Sequence, residues 1–199
     1  PRAVLDAPRD ADKPYISFDH VSFHYPRGGD VLHDISFTAN RGETVGIIGG
    51  TGSGKTTLVN LIPRYYDATG GEVAVDGLDV RAYPDDDLQS MVGYVPQKAV
   101  LFRGSIRDNM RWGKADATDA EIVEAITRAQ GEDILRAKGS LDAAVVEGGK
   151  NFSGGQRQRL TIARALVRKP EILILDDSAS ALDYATDARL RATIRAAEN

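Results

Sequence analysis

The sequence lacks several features that would define a protein class at once. No cysteine occurs among its 199 residues, which excludes disulfide bonds and thiolate metal sites. Long apolar runs are also missing. Ile172–Leu175 is typical of those present, whereas a membrane-spanning helix needs about 18 such residues. Positive charge is not in excess, because 25 Lys and Arg face 29 Asp and Glu for a net charge of −4. This balance removes the general electrostatic argument for binding nucleic acid.

What the chain does contain is the composition of an ordinary globular domain. Hydrophobic residues make up 42% and charged residues 27%, close to the averages for such domains. The length suits one domain with a substantial core. Residues 1–13 are charged, contain two prolines and show little periodicity. We therefore expect a linker or tail over 1–13 and one domain over 14–199.

The first half of the chain is patterned mainly as β-strands. Apolar residues alternate over Ile16–Tyr25 and again over Val31–Phe37. A short continuous apolar run, Val45–Ile48, is typical of a strand buried inside a mostly parallel sheet. Apolar residues at helical spacing then predict an amphipathic helix over Leu58–Tyr65. Glycine-containing turns on both sides of Glu72–Val75 predict a further strand.

The second half is mostly helical between two apolar strands. The strands are predicted at Val92–Val95 and Ile172–Leu175, and the segment between them carries two capping boxes, at Thr118 and Ser153. A last helix is predicted over Tyr184–Glu198. Strands that alternate with helices predict an α/β fold with a helical insertion in its middle.

A phosphate-binding loop is predicted at Gly49–Thr56, which satisfies the pattern G-x-x-x-x-G-K-[ST] between a predicted strand and a predicted helix. Glycines leave backbone N–H groups free to wrap a phosphate. Lys55 supplies charge for the β and γ phosphates, and the Thr56 hydroxyl can bind Mg²⁺. The alternative is a glycine-rich turn with a solvated lysine. The residues expected to contact the nucleotide are Gly50, Thr51, Gly52, Ser53, Gly54, Lys55, Thr56 and Thr57.

Two aspartates follow the strand Ile172–Leu175. A P-loop needs a carboxylate at the end of a neighbouring strand to hold Mg²⁺. Asp176 is placed to hold the metal, directly or through water, and Asp177 to polarise an attacking water. The alternative for either residue is a helix cap or a turn.

At this point several P-loop classes are open: GTPases, kinases, helicases and transport ATPases. A GTPase needs an N/T-K-x-D motif, and Gly113–Asp116 lacks the Asn or Thr. The segment Phe152–Gln156 instead resembles the signature motif of ABC-type ATPases, whose usual form is Leu-Ser-Gly-Gly-Gln. It lies between the P-loop and the second carboxylate strand, as in that family, and the resemblance extends from Ile16 onward. The matching residues are Phe152, Ser153, Gly154, Gly155 and Gln156.

The resemblance implies a fold and a set of site residues. The fold is a P-loop NTPase (RecA-like) sheet core with an N-terminal antiparallel β subdomain and a helical insertion over about residues 99–163. Tyr25 matches the aromatic residue that stacks on adenine, Gln97 the Q-loop glutamine, and Asp183 the D-loop aspartate. ATP and Mg²⁺ are the implied cofactors. The implied metal ligands are Thr56, Gln97 and Asp176, and the implied catalytic residues are Asp177 and Gln97.

Each of these matches has an ordinary structural alternative. Tyr25 is alternatively a core or hairpin tyrosine, Gln97 a surface amide, and Ser153–Gln156 a plain capping box. Physically, Ser153–Gly155 opens a helix and so offers a second anion site. One chain cannot fold that site onto its own P-loop if the helical insertion lies between them. In the family, ATP joins two such domains head to tail, and hydrolysis releases them.

Two features look like the exporter branch of the family. One is the pair Val21–Pro26 and Val31–Phe37. The other is Glu147, which matches a glutamate of the loop that touches the membrane domains, although Val146 stands where exporters usually have Gly. The resemblance implies ATP-driven transport, transmembrane-domain and second nucleotide-binding-domain partners, no nucleic acid, and a place at the cytoplasmic face of the membrane. The alternatives are a soluble ABC-type ATPase and a nucleotide-gated dimerisation module with little turnover.

The chain departs from the family pattern at two places. Asp177 stands where hydrolysing members have Glu, which withdraws the carboxylate by about 1.5 Å. This favours the degenerate subunit of a heterodimeric exporter. The only histidines are His20, His24 and His33, whereas the family has a switch histidine on a strand beyond the position of Asn199. We therefore expect the C-terminal part of the domain to be missing, and the three histidines to be surface residues rather than metal ligands.

Overall fold

The computed structural model of the chain describes residues 13–176 together with Thr186. The chain divides into two compact units, Pro1–Met91 and Val92–Asn199. Asp177 and Asp183 lie outside the described residues, as does the predicted helix Tyr184–Glu198 apart from Thr186.

The first unit is built on a four-stranded antiparallel sheet with the order β2-β1-β3-β4. The predicted strands at Ile16–Tyr25, Val31–Phe37 and Glu72–Val75 are confirmed, and a short fourth strand joins them. The strands are β1 (Ile16–His24), β2 (Asp30–Ala39), β3 (Gly70–Val75) and β4 (Leu78–Asp79).

The pairing of β1 with β2 is irregular at its middle. His20 and Asp34 both have a positive φ, 49° and 48°, and the register shifts between Phe18 and Val21. The extra residue in the strand is what allows Phe18 and Val21 both to be buried although they are three positions apart. Phe18 stacks on Phe37 across the two strands, with ring centroids 4.6 Å apart.

The helix after the phosphate loop is shorter than the sequence predicts. Helix α1 spans Lys55–Asn60, so the prediction of a helix through Tyr65 was wrong. The chain continues in tight turns, in which Leu61 N–H donates to the carbonyl of Leu58 and Arg64 adopts a φ of 57°. Pro63 has no N–H to continue a helical ladder. The spacing of the apolar residues therefore indicated that Leu58, Leu61 and Ile62 are buried, but it did not indicate where the helix ends. A 3₁₀ turn, Val80–Ala82, and helix α2, Asp85–Met91, complete this unit.

The predicted buried strand at Val45–Ile48 is also wrong. These residues adopt neither helix nor strand, and Ile48 is 98% exposed. A strand needs a neighbour to satisfy its backbone N–H and C=O groups. Within residues 13–176 no strand pairs with this segment. An apolar run indicates a tendency to be buried, and only tertiary pairing turns it into a strand.

The second unit combines a parallel strand pair with helices. Strands β5 (Val92–Val95) and β8 (Ile172–Leu175) pair in parallel, as the apolar runs predict. Between them lie a short ladder, β6 (Gly104–Ser105) with β7 (Ala144–Val145), and four helices. The helices are α3 (Ile106–Arg111), α4 (Asp119–Arg128), α5 (Glu132–Lys138) and α6 (Gly154–Leu166). The limits of about 99–163 for a helical subdomain stay a prediction.

The core of the second unit forms where α4 and α3 pack on α6. Ile122 and Ile126 of α4 and Leu160 and Ile162 of α6 are almost completely buried in one cluster. Both predicted capping boxes are confirmed, at Thr118 for α4 and at Ser153 for α6. The packing therefore fixes α6, and with it the position of the Ser-Gly-Gly segment that opens it.

Candidate nucleotide-binding site

The phosphate loop forms a compact turn that leads directly into α1. Ser53 N–H donates to the Gly50 carbonyl at 3.1 Å, and Gly54 occupies the N-cap position with a φ of 89°. A side chain at Gly54 would meet the Val31 carbonyl and two apolar side chains at 3.1–3.2 Å. Glycine is thus required there by both conformation and space. No side chain caps α1, so its first N–H groups can face a ligand.

The Lys55 ammonium is held over this loop by the loop's own backbone. Its Nζ donates to the carbonyls of Gly49 and Gly50, at 2.5 and 2.9 Å. The loop therefore places a cation beside its N–H groups, which is the arrangement expected for binding the β and γ phosphates.

Tyr25 lies against the helix that follows the loop. Its hydroxyl is 3.0 Å from the Thr57 hydroxyl, and Thr57 is only 7% exposed. The rings of Phe23 and Tyr66 meet the Tyr25 ring edge-on, with centroids 4.9 and 5.5 Å away. The structure thus brings the predicted aromatic residue to the helix that follows the phosphate loop. The sequence had not indicated the contacts with Thr57 and Tyr66, which are made across the fold.

In the second unit, Asp176 stands directly after β8. Its N–H donates to the Val95 carbonyl at 3.0 Å, which continues the parallel pairing by one residue. Its Oδ2 accepts a hydrogen bond from the Tyr94 hydroxyl at 2.9 Å. Sequence reasoning missed Tyr94, although the parallel register of β5 and β8 places it opposite Ile174, two residues before the aspartate. Gln97 lies two residues beyond the end of β5 and is exposed.

The signature segment opens α6 with a complete capping box. Ser153 Oγ accepts from Gln156 N–H at 3.1 Å, and Gln156 Oε1 accepts from Ser153 N–H at 3.0 Å. Ser153 and Gln156 therefore form the capping box that the alternative interpretation predicts. It does not exclude an anion site, because a hydroxyl that accepts one bond can still donate its own proton. Ser153 and Gly154 are exposed, and no acidic residue lies in the first turn of α6.

Glu147 opens a short 3₁₀ turn, Glu147–Gly149, and is exposed.

An exposed aromatic pair lies elsewhere in this unit and was not singled out from the sequence. Phe102 and Trp112 are 43% and 70% exposed, and their rings lie 4.9 Å apart. The Arg164 guanidinium stands 5.5 Å from the Phe102 ring centroid.

The three histidines lie on the β1–β2 pair and are exposed. His20 binds Asp34 at 2.5 Å, and this hydrogen bond raises the pKa of His20 above its ordinary value. The Nδ1 atoms of His24 and His33 lie 4.0 and 3.7 Å from the carboxylate oxygens of Asp30. Within the described residues no cluster of three or more His, Asp or Glu side chains could hold a metal ion.

Together these features define a P-loop nucleotide-binding protein with a second helix-opening motif of the Ser-Gly-Gly-Gln type. Comparison with known proteins specifies the family. A family model described as ABC transporter matches residues 32–180. The chain belongs to the ABC transporter family, and its described residues have a mixed α/β fold.

Several similar proteins carry names that describe exporters or permeases. The protein named probable multidrug resistance ABC transporter ATP-binding/permease protein YheI of Bacillus subtilis is 47% identical over 90% of this chain and 31% of its own length. The β-(1→2)glucan export ATP-binding/permease protein NdvA of Agrobacterium fabrum is 44% identical over 91% of this chain and 31% of its own. A structure of a bacterial Atm1-family ABC exporter with ATP bound matches with a TM-score of 0.87 at 37% identity, over 98% of this chain and 34% of that chain.

The chain spans about a third of the length of these relatives. Among the helices that the structure describes, none has both the length and the apolar character needed to cross a bilayer.

Proposed function

We propose that this chain binds Mg-ATP and, paired head to tail with a second nucleotide-binding domain, couples ATP binding and hydrolysis to export through transmembrane domains. The observation that carries the proposal is the Lys55 ammonium held over the glycine loop by the carbonyls of Gly49 and Gly50. The loop thereby presents a cation and helix-opening N–H groups together, which suits a triphosphate.

The donors available for the metal fit Mg²⁺. Thr56 offers a hydroxyl, Gln97 an amide oxygen and Asp176 a carboxylate, and oxygen donors are what this ion prefers. When bound, Mg²⁺ would neutralise charge that develops on the phosphates. The Tyr94 hydroxyl bonds one carboxylate oxygen of Asp176, so Tyr94 orients this residue from behind.

The second anion site supports a partner domain. Ser153 opens α6 with an exposed hydroxyl side chain and a first turn free of acidic residues. This site and the P-loop belong to different compact units of the chain. We therefore assign Ser153, Gly154, Gly155 and Gln156 to the γ phosphate bound by a second domain, with Asp183 of the D-loop beside it. Tyr25 would stack on the adenine.

Transmembrane partners are supported by the relatives named ATP-binding/permease proteins, of which this chain spans about a third. The proposed place is the cytoplasmic face of the membrane, with Glu147 and the exposed pair Phe102 and Trp112 as surfaces for the membrane domains. The net charge of −4 supports a function that does not involve nucleic acid.

Photolabelling with 8-azido-ATP tests the nucleotide site in the complete transporter that contains this chain. Lys55→Ala should remove most labelling of this domain, because the loop loses its only side-chain cation. Lys169→Ala is the matched control, since Lys169 is an exposed lysine whose nearest carboxylate is Glu124 at 3.6 Å. Undiminished labelling of the Lys55→Ala protein would contradict the proposal.

A slow nucleotide site is the second candidate, favoured by Asp177 in place of Glu. The shorter side chain would hold a catalytic carboxylate out of reach of the attacking water, and a displacement of about 1 Å can cost on the order of 100-fold in rate. Gln97 would then help to hold the metal and the water. Asp177→Glu should raise the ATPase rate of the assembled transporter at least several-fold. An unchanged rate would show that this site is not limited by the aspartate.

A further inference from the structure

Phe152, the residue before the N-cap Ser153 of α6, contacts Lys138 at the end of α5. Phe152 is 4% exposed, and the Nζ of Lys138 stands 4.6 Å from its ring centroid. This distance lies within the range of a cation–π interaction. Leu, the usual residue of the motif at this position, has no ring and cannot make the contact.

Lys138 has no competing ionic partner in the described part of the chain. It is the last residue of α5, and Gly139 ends the helix in the left-handed conformation with a φ of 74°. Among residues 13–176, Lys114 and Lys169 pair with carboxylates, whereas Lys138 makes no ion pair. The ring of Phe152 is therefore its specific contact.

The first residues of α6 favour helix weakly, so contacts from outside this turn can add to the support that its capping box gives. Its first two helical residues are Gly154 and Gly155, and each glycine disfavours the helix relative to alanine. A residue before the N-cap often packs on an apolar residue five positions later and so fixes the direction in which the chain enters the helix. Here that later position holds Arg157, a charged residue, so this apolar contact is not available.

We propose that Lys138 is a positioning residue of the signature segment, acting through Phe152. Its cation–π contact adds to the packing of the Phe152 ring in the core cluster, sets the orientation of the ring before the N-cap, and so orients the N–H groups and hydroxyl of Ser153–Gln156. The functional consequence rests on the proposed function, in which these groups bind the triphosphate held by a second domain.

A double-mutant cycle in the complete transporter tests the inference. Lys138→Met keeps the aliphatic stem and removes the charge, and Phe152→Leu removes the ring. We expect Lys138→Met to raise the KM for ATP two- to fivefold, which corresponds to the strength of an exposed cation–π contact, and to have no effect in the Phe152→Leu background. Lys138→Arg should retain the parent KM.

The matched control is Arg136→Met, which removes the same charge from the same last turn of α5. It should leave the KM for ATP unchanged. Hydrogen exchange in the nucleotide-free transporter supplies a readout that does not depend on ATP. Lys138→Met should speed exchange of the Gln156 and Arg157 amides, whose N–H groups bond the Ser153 hydroxyl and carbonyl, and Arg136→Met should not.

Three results would overturn the inference. The first is that Lys138→Met raises the KM for ATP equally with Phe152 and with Leu at position 152. The second is that Arg136→Met raises this KM as much as Lys138→Met does, and the third is that Lys138→Met leaves hydrogen exchange at the start of α6 unchanged. Failure of the proposed function would be seen separately, as undiminished 8-azido-ATP labelling after Lys55→Ala.

Discussion

The hydroxyl of Tyr25 lies 3.0 Å from the hydroxyl of Thr57. The two residues come from opposite sides of the glycine loop, and Thr57 follows the proposed metal ligand Thr56 in α1. The residue proposed to stack on the base is thus tied directly to the helix that carries the phosphate site. This contact links the residue proposed to bind the base to the helix that follows the proposed phosphate loop.

Tyr25→Phe should weaken ATP binding while leaving triphosphate binding intact. The variant keeps the ring but removes the hydrogen bond, which leaves the buried Thr57 hydroxyl without this partner at a cost of about 1 kcal/mol. We expect the Kd for Mg-ATP to rise two- to fivefold and the Ki of tripolyphosphate to stay constant. Tyr66→Phe is the control, because its ring keeps the edge-on contact with Tyr25. If Tyr25→Phe weakened the binding of Mg-ATP and of tripolyphosphate equally, the proposed role of Tyr25 in binding the base would be contradicted.

Ser153→Ala should reduce both stability and ATPase activity, whereas Thr118→Ala should reduce stability alone. Each substitution removes the hydroxyl of a complete capping box, so each should cost about 1 kcal/mol in the free energy of unfolding. Only Ser153 belongs to the proposed γ-phosphate site. The measurements are urea unfolding and the ATPase rate of the complete transporter. Parallel losses of activity in both variants would show that Ser153 acts only as a cap.

Acid should destabilise α4 through Glu121. A hydrogen bond from Lys114, with further bonds from the Thr118 N–H and hydroxyl, lowers the pKa of Glu121 to about 2. Since the folded-state pKa lies below the unfolded one, this stabilisation is present above about pH 4.5. It is lost as the pH falls towards 2.

Glu121→Gln is the informative variant for this effect, since glutamine can still complete the capping box but cannot titrate. The urea midpoint of the Glu121→Gln protein should fall less between pH 5 and pH 3 than that of the parent. Identical slopes over this range would contradict the assignment. Glu124→Gln, on the same helix, is a control for the general loss of a carboxylate.

The exposed aromatic pair should matter only in the assembled transporter. Trp112→Ser removes the more exposed ring of the pair and, if membrane domains cover it, should lower the melting temperature of the transporter by about 1 °C for each kcal/mol of lost contact, because the unfolding entropy grows with chain length. Val123→Ser is the control, because Val123 is an exposed apolar residue outside this pair, at 41% exposure. Equal melting temperatures for the Trp112→Ser protein and its parent would place the partner on another surface.

Local patterns predicted much of the fold, together with the local conformation of the segments proposed to form the site. The capping boxes at Thr118 and Ser153 and the loop Gly49–Thr56 depend on residues within seven positions of one another, so the sequence shows them directly. The strands Val92–Val95 and Ile172–Leu175 were equally clear, because both are short apolar runs between turn residues. The same reasoning failed at Val45–Ile48, where an apolar run found no strand partner in the described structure.

The amino-acid order alone determined which groups are present: a lysine behind a glycine loop, a carboxylate after an apolar strand, and a serine that caps a glycine-opened helix. Tertiary structure decided which distant side chains orient them. Tyr94 meets Asp176 across 82 positions and Tyr25 meets Thr57 across 32, while Lys138 reaches Phe152 from another helix. The reason is physical: turns and caps are formed by near neighbours in the chain, whereas these contacts exist only after strands and helices have packed together.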